Sequence, residues 1–139
     1  MKIIVYPHAM EIGGSQLNAV QLAGAVRDRG HEVIVVAEPG PLVDTVRGLG
    51  LEYVPIPEKR RRPSAGVAAL LTRLVRSRSV DVVHGYEWPP AVEAFYGPRL
   101  RLGTPVVATV MSSSVVPFFP RPIPLLVGTE QLQYTVRTA

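Results

Sequence analysis

Apolar positions along the chain switch repeatedly between unbroken runs and helical spacing, and the alternation predicts strands and helices in turn. Ile3-Ile4-Val5-Tyr6 is an unbroken run that predicts a strand over residues 2–7. From about Ser15 to Arg29, Ala19, Leu22, Ala23 and Val26 fall at i, i+3, i+4 and i+7, one stripe of a helix. Ser15 is placed to cap that helix at its start and Gly30 to close it. Val33-Ile34-Val35-Val36, within a strand over Glu32–Ala37, is apolar at every position, as a parallel strand covered on both faces requires. Pro41 opens a short second helix with Leu42, Val46 and Leu49 on one side and Gly50 at its end, and a third strand follows at Leu51–Ile56. Ser64 caps a third helix whose Val67, Leu70, Leu71 and Leu74 repeat the stripe. A fourth strand is expected at Val80–His84, then a loop holding Glu87-Trp88-Pro89-Pro90 and a helix over about 91–102 that Gly97-Pro98 should kink or divide. Pro105–Val110 reads as a fifth strand. Beyond a loop marked by Pro117, Pro120, Pro122 and Pro124, Pro124–Val127 reads as a sixth, and Glu130–Val136 begins another helix.

This order predicts an α/β domain, a Rossmann-like doubly wound parallel sheet of about six strands. A length of 139 residues suits one domain with a real core, and residues 1–139 are read as that domain. The chain stops inside a predicted helix without a terminal cap, so the domain is expected to be incomplete at its C-terminal end. No apolar run approaches the roughly 20 residues that span a bilayer, and Lys2 leads directly into a strand, unlike a signal peptide. Cysteine is absent, which excludes disulfides, thiolate metal sites and thiol nucleophiles and fits a cytoplasmic protein. With no H-E-x-x-H, D-x-D or Cys/His spacing, no protein-held metal is expected. The net charge of +4 is carried mainly by arginine, which suits phosphorylated ligands or anionic lipid and equally follows from a compositional bias.

The candidate chemistry gathers where strands end. Gly13-Gly14-Ser15 stands between the first strand and the first helix, where backbone N–H groups and the helix dipole suit a phosphate or another anion. The pattern G-x-G-x-x-G is absent and Glu38 is only loosely placed to bind a ribose, so nicotinamide dinucleotide is not expected. The alternative for the glycine pair is a tight turn that only joins strand to helix. His84 and Glu87 are expected at the carboxyl edge after the fourth strand, as hydrogen-bond partners of sugar hydroxyls or phosphate, with Trp88 offering a flat apolar face beside them. Each also has a plain structural reading, the histidine bonded to backbone and the tryptophan as a loop anchor. His8, in the loop after the first strand, borders the same cleft. Ser112-Ser113-Ser114 follows the fifth strand without a base placed to activate it, and G-x-S-x-G is absent. Lys59-Arg60-Arg61-Arg62 is a candidate membrane contact or a solvated charged face, and no aromatic platform accompanies it to bind nucleic acid.

The stretches Gly13-Gly14-Ser15-Gln16, Arg29-Gly30-His31-Glu32-Val33, Asp81-Val82-Val83-His84 and Thr104-Pro105-Val106-Val107-Ala108-Thr109, in that order, are similar to the start of family 4 retaining glycosyltransferases of GT-B fold. The resemblance covers nearly the whole chain. It implies the N-terminal, acceptor-binding half of a two-domain enzyme that transfers a sugar from a nucleotide-sugar with retention, the donor domain lying outside this chain. It further implies that Gly13, Gly14 and Ser15 approach the donor diphosphate, that His8, His84, Glu87 and Trp88 line the acceptor or sugar site, and that no cofactor beyond the nucleotide-sugar substrate is needed. The acceptor would be a sugar, a lipid or another small molecule, met in the cytoplasm or at the inner face of the membrane. One departure stands out: many members follow the fifth strand with a histidine, and here the position holds Met111. A thioether carries no proton, so His84 or Ser112 would have to take that role, or the activity differs. A non-catalytic module binding a sugar, a lipid headgroup or a protein is the alternative, and a nucleotide-sugar epimerase of similar shape is a third reading.

Overall fold

The computed structural model describes residues 1–9, 14–57, 63–111 and 123–127. Six parallel strands, β1 (Lys2–Ala9), β2 (Glu32–Glu38), β3 (Glu52–Pro55), β4 (Val82–Tyr86), β5 (Val106–Val110) and β6 (Leu125–Val127), form one sheet in the order β3-β2-β1-β4-β5-β6. This is the doubly wound Rossmann-like arrangement expected. The direction of winding reverses between β1 and β4, and the carboxyl ends of those two strands flank the crevice where such sheets bind ligands.

Alternation along the strands sends successive side chains to opposite faces, and each face has its own core. On one face Val5, Val33, Val35, Ala37 and Tyr86 pack against Ala19, Val20 and Ala23 of α1 (Gly14–Asp28) and Val46 of α2 (Val43–Gly48). On the other, Ile4, Tyr6, Ile34, Val36, Val83, Val106 and Ala108 meet Val67, Leu71 and Val75 of α3 (Ala65–Arg78) and Ala91 and Ala94 of α4 (Trp88–Ala94). The face that α1 buries is turned from the expected stripe toward Val20 and Gly24, with Leu22 and Val26 only partly buried.

Ser64 caps α3 as expected, its Oγ accepting the Val67 N–H at 3.2 Å. A capping box would add a glutamate three residues on to accept the cap residue's own N–H, but Val67 stands there. Glu93 of α4 supplies that carboxylate instead: Oε2 accepts the Ser64 N–H at 2.8 Å and Oε1 accepts the Tyr6 hydroxyl at 2.5 Å. A fully buried acid thus ties α3, α4 and β1 together.

Several boundaries differ from expectation, each for a physical reason. Pro89 and Pro90 lie in the first turn of α4, where a missing N–H costs nothing, so the predicted loop is already helix. Gly97-Pro98 divides the helical segment, as expected. A π-helical turn over Phe95–Arg99 absorbs the proline before a last short turn, α5 (Leu100–Leu102). A Cβ on Gly97 would lie 2.5 Å from the Ala68 carbonyl oxygen, so α3 touches this turn only because the residue is glycine. Gly97→Ala is therefore expected to lower stability by about 1–3 kcal/mol through overpacking, read as an earlier urea midpoint at unchanged slope. The predicted helix from Glu130 lies outside the described residues.

Candidate functional site

The crevice is built from the start of α1 and the carboxyl ends of β4 and β5. Gly14 is the first residue of α1, exposed, and a Cβ added there would meet nothing within 4 Å. Ser15, expected as the cap, lies inside the first turn, half-buried. The first turn of a helix presents N–H groups without intrahelical partners, and the positive end of the dipole adds to their attraction for an anion. Gly13 lies outside the described residues.

His84 does not follow β4. The strand begins two residues later than expected and runs to Tyr86, which leaves His84 in its middle, on the face that α1 covers. Its Nε2 lies 2.7 Å from Thr109 Oγ1, and its ring stacks on Tyr86 with centroids 4.7 Å apart and planes inclined by 14°. Burial lowers the imidazole from its ordinary 6.5 to about 4, so it is neutral at pH 7. Tyr86 in turn donates its hydroxyl to Asn18 Oδ1 at 2.8 Å. Burial raises that phenol to about 12, against a smaller lowering by its hydrogen bond with Thr109. Asn18, Tyr86, Thr109 and His84 thus form a polar string that fastens α1 to β4 and β5. Asn18 and Tyr86 carry no motif, and Thr109 was noted only as the end of the Thr104–Thr109 stretch. The available signal was periodicity: Tyr86 shares a face with His84 two residues away, and Thr109 interrupts an apolar strand.

Glu87 does stand at the carboxyl edge, directly after β4. Its backbone has φ 66° and ψ 179°, a region essentially confined to glycine, at a cost of order 1–3 kcal/mol for other residues. Its N–H donates to the Thr109 carbonyl at 2.8 Å, and its Oε2 accepts the Met111 N–H at 2.8 Å. Trp88 is the first residue of α4 rather than a loop residue, and is half-buried. Met111 follows β5 and is 42% exposed. His8 belongs to β1, beyond an irregularity in its pairing with β2, and not to a loop after it. Glu38 ends β2 and is buried. Ser112 and Lys59, Arg60, Arg61 and Arg62 lie outside the described residues. No helix among those described is long and apolar enough to cross a membrane.

The structure therefore brings Gly14, Glu87 and Met111 to the carboxyl edge and withdraws His84 into the sheet. A helix N-terminus can hold an anionic group, and a carboxylate at the same edge of the sheet can orient a hydroxylated one. The sequence profile described as Glycosyltransferase Family 4 matches residues 12–126. In fold the chain is similar to a glycosyltransferase from Rickettsia africae ESF-5, with a TM-score of 0.66 and 18% identity over 78% of this chain and 29% of that one. It is also similar to MurG from Acinetobacter baumannii, with a TM-score of 0.63 and 19% identity over 92% of this chain and 45% of that one. It spans less than half the length of either. No curated protein matches it.

Proposed function

Because the chain belongs to Glycosyltransferase Family 4, as the match over residues 12–126 shows, we propose that it is the acceptor-side half of a retaining glycosyltransferase using a nucleotide-sugar donor. The observation that carries this reading is the start of α1 at the point where the sheet reverses its winding, with Gly14 exposed and, among the described residues, no side chain within 4 Å of a Cβ placed there. Backbone N–H groups there stabilise the charge that grows on the departing diphosphate as the sugar becomes oxocarbenium-like, so they bind the transition state more tightly than the donor. The remaining donor contacts belong to a second domain, and this half alone is expected to be inactive. No protein-held metal or other cofactor takes part. The acceptor, a sugar, a lipid or a small molecule, enters from the side of Glu87 and Trp88.

Gly14→Asp in the full-length enzyme places a carboxylate against the diphosphate, and kcat/KM is expected to fall by roughly 10²–10³. Gly14→Ala serves as the steric control, since its Cβ has open space. An unchanged kcat/KM in the aspartate variant would sink the assignment. One observation favours a second reading. Met111, exposed at the tip of β5, has a thioether side chain that carries no proton where many relatives carry histidine, as a module that binds a sugar, a lipid headgroup or a protein without transferring anything would allow. Sugar transfer by the intact protein decides against it.

A further inference from the structure

We propose that Glu87 is a positioning residue, whose carboxylate holds the tip of β5 and so sets where residue 111 meets the crevice. This deepens the glycosyltransferase reading and rests on it for the claim that the crevice is where transfer occurs.

The pairing of β4 with β5 ends at Tyr86 and Thr109. Glu87 carries the contact past that end with two hydrogen bonds to the same strand, one from its backbone N–H to the Thr109 carbonyl and one to its Oε2 from the Met111 N–H. The second reaches two residues further along β5 than the first and fastens the point where the strand leaves the sheet. On one side of that point Val110 is buried, and on the other Met111 is exposed at the carboxyl edge of the sheet. The backbone that aims the carboxylate this way is in a conformation that glycine adopts freely and glutamate does not. Glycine at this position would relieve the strain but could not reach Met111. The strain is intelligible if the carboxylate's grip on β5 is what the site uses.

Strain and grip separate by substitution in the intact protein. Glu87→Gly removes both, Glu87→Ala removes the grip and keeps the strain, and Glu87→Gln keeps the strain and an acceptor oxygen. Glycine is expected to melt within a few degrees of wild type and above alanine. In both, the Met111 amide is expected to exchange its proton about tenfold faster, or more, by NMR. Sugar release from a panel of UDP- and GDP-hexoses is expected to fall about 10- to 100-fold in kcat for glycine and alanine, with donor KM little changed, because the start of α1, to which the diphosphate is assigned, is left as it was. Glutamine is expected to restore both exchange and rate to within about threefold of wild type, since it still accepts from the same N–H. A merely structural role would make rate follow melting temperature, with the glycine variant as active as wild type, and that result overturns the proposal. So does slow exchange at Met111 in the glycine variant. If the wild type turns over no donor, the transferase reading fails by itself, and the exchange comparison still decides whether Glu87 grips β5.

Discussion

Glu93→Ala is expected to remove roughly 3–5 kcal/mol of stability, measured by urea unfolding at neutral pH. A buried donor, the Tyr6 hydroxyl, and a partly buried one, the Ser64 N–H, lose this acceptor together, at about 1–3 kcal/mol for the first and less for the second, and the deleted side chain leaves a void between α4 and the sheet. For a domain whose whole stability is about 5–15 kcal/mol, that is a substantial share. Tyr6→Phe keeps the ring and deletes the hydroxyl's bond to Glu93, so it should cost about 1 kcal/mol. In the Glu93→Ala background the same change should cost less, because the hydroxyl it deletes has by then lost this acceptor. Ser64→Ala is a useful contrast: it takes away the Val67 cap, worth about 1 kcal/mol, and leaves the backbone N–H on Glu93 intact. A loss below 1 kcal/mol for Glu93→Ala would show that the three elements are not held through this carboxylate.

The second large effect is a loss of stability in mild acid that traces to His84. Unfolded, the imidazole takes up a proton near pH 6.5; folded, burial delays this to about pH 4. Between those values the unfolded chain binds more protons, so stability rises with pH across the window and falls as acid is added. The amount is about 3 kcal/mol by pH 4 relative to pH 7.5. Carboxylates also titrate near the lower end, so the quantity to measure is the difference between wild type and His84→Gln. Glutamine can still bond Thr109 but cannot ionise, and the advantage of wild type over it should shrink by about 3 kcal/mol from pH 7.5 to 4. A difference that stays constant would mean the imidazole takes its proton as readily folded as unfolded.

The strands of the sheet were legible because each is an apolar run, and their alternation with striped helices carries the winding with it. What misled at β4 is a glycine. Gly85 reads as the end of a strand, yet it lies within one, and a Cβ there would stand 3.1 Å from the Ala91 nitrogen and the Pro90 carbonyl carbon. It is there so that α4 can sit directly on the sheet. With the strand shifted, His84 moves from the edge to the interior. The helical wheel of α1 was off for a related reason, since Gly24 on its buried face counts as no side chain at all in an apolar pattern. In the site, the position of Glu87 at the carboxyl edge could be read from order alone. Its partner Met111 could not, being 24 residues away on a strand whose neighbour is set by the whole sheet. Glu93 shows the same limit: an acid among Ala91, Val92 and Ala94 hints at burial, but its donors sit on β1 and before α3.

The place of β1 in the middle of the sheet has a consequence for how the chain is made. Synthesis delivers β2 soon after β1, but the strand on the other flank, β4, begins only at Val82. Until then the ribosome has released a central strand whose Ile3–Tyr6 edge has open N–H and C=O groups, next to the most apolar sequence in the protein. Parallel pairing over that separation is slow because the intervening chain must first be ordered. For that interval the nascent chain offers other polypeptides a strand edge to join. A chaperone that covers Ile3–Tyr6 during elongation would therefore matter more to the yield of folded protein than one acting after release.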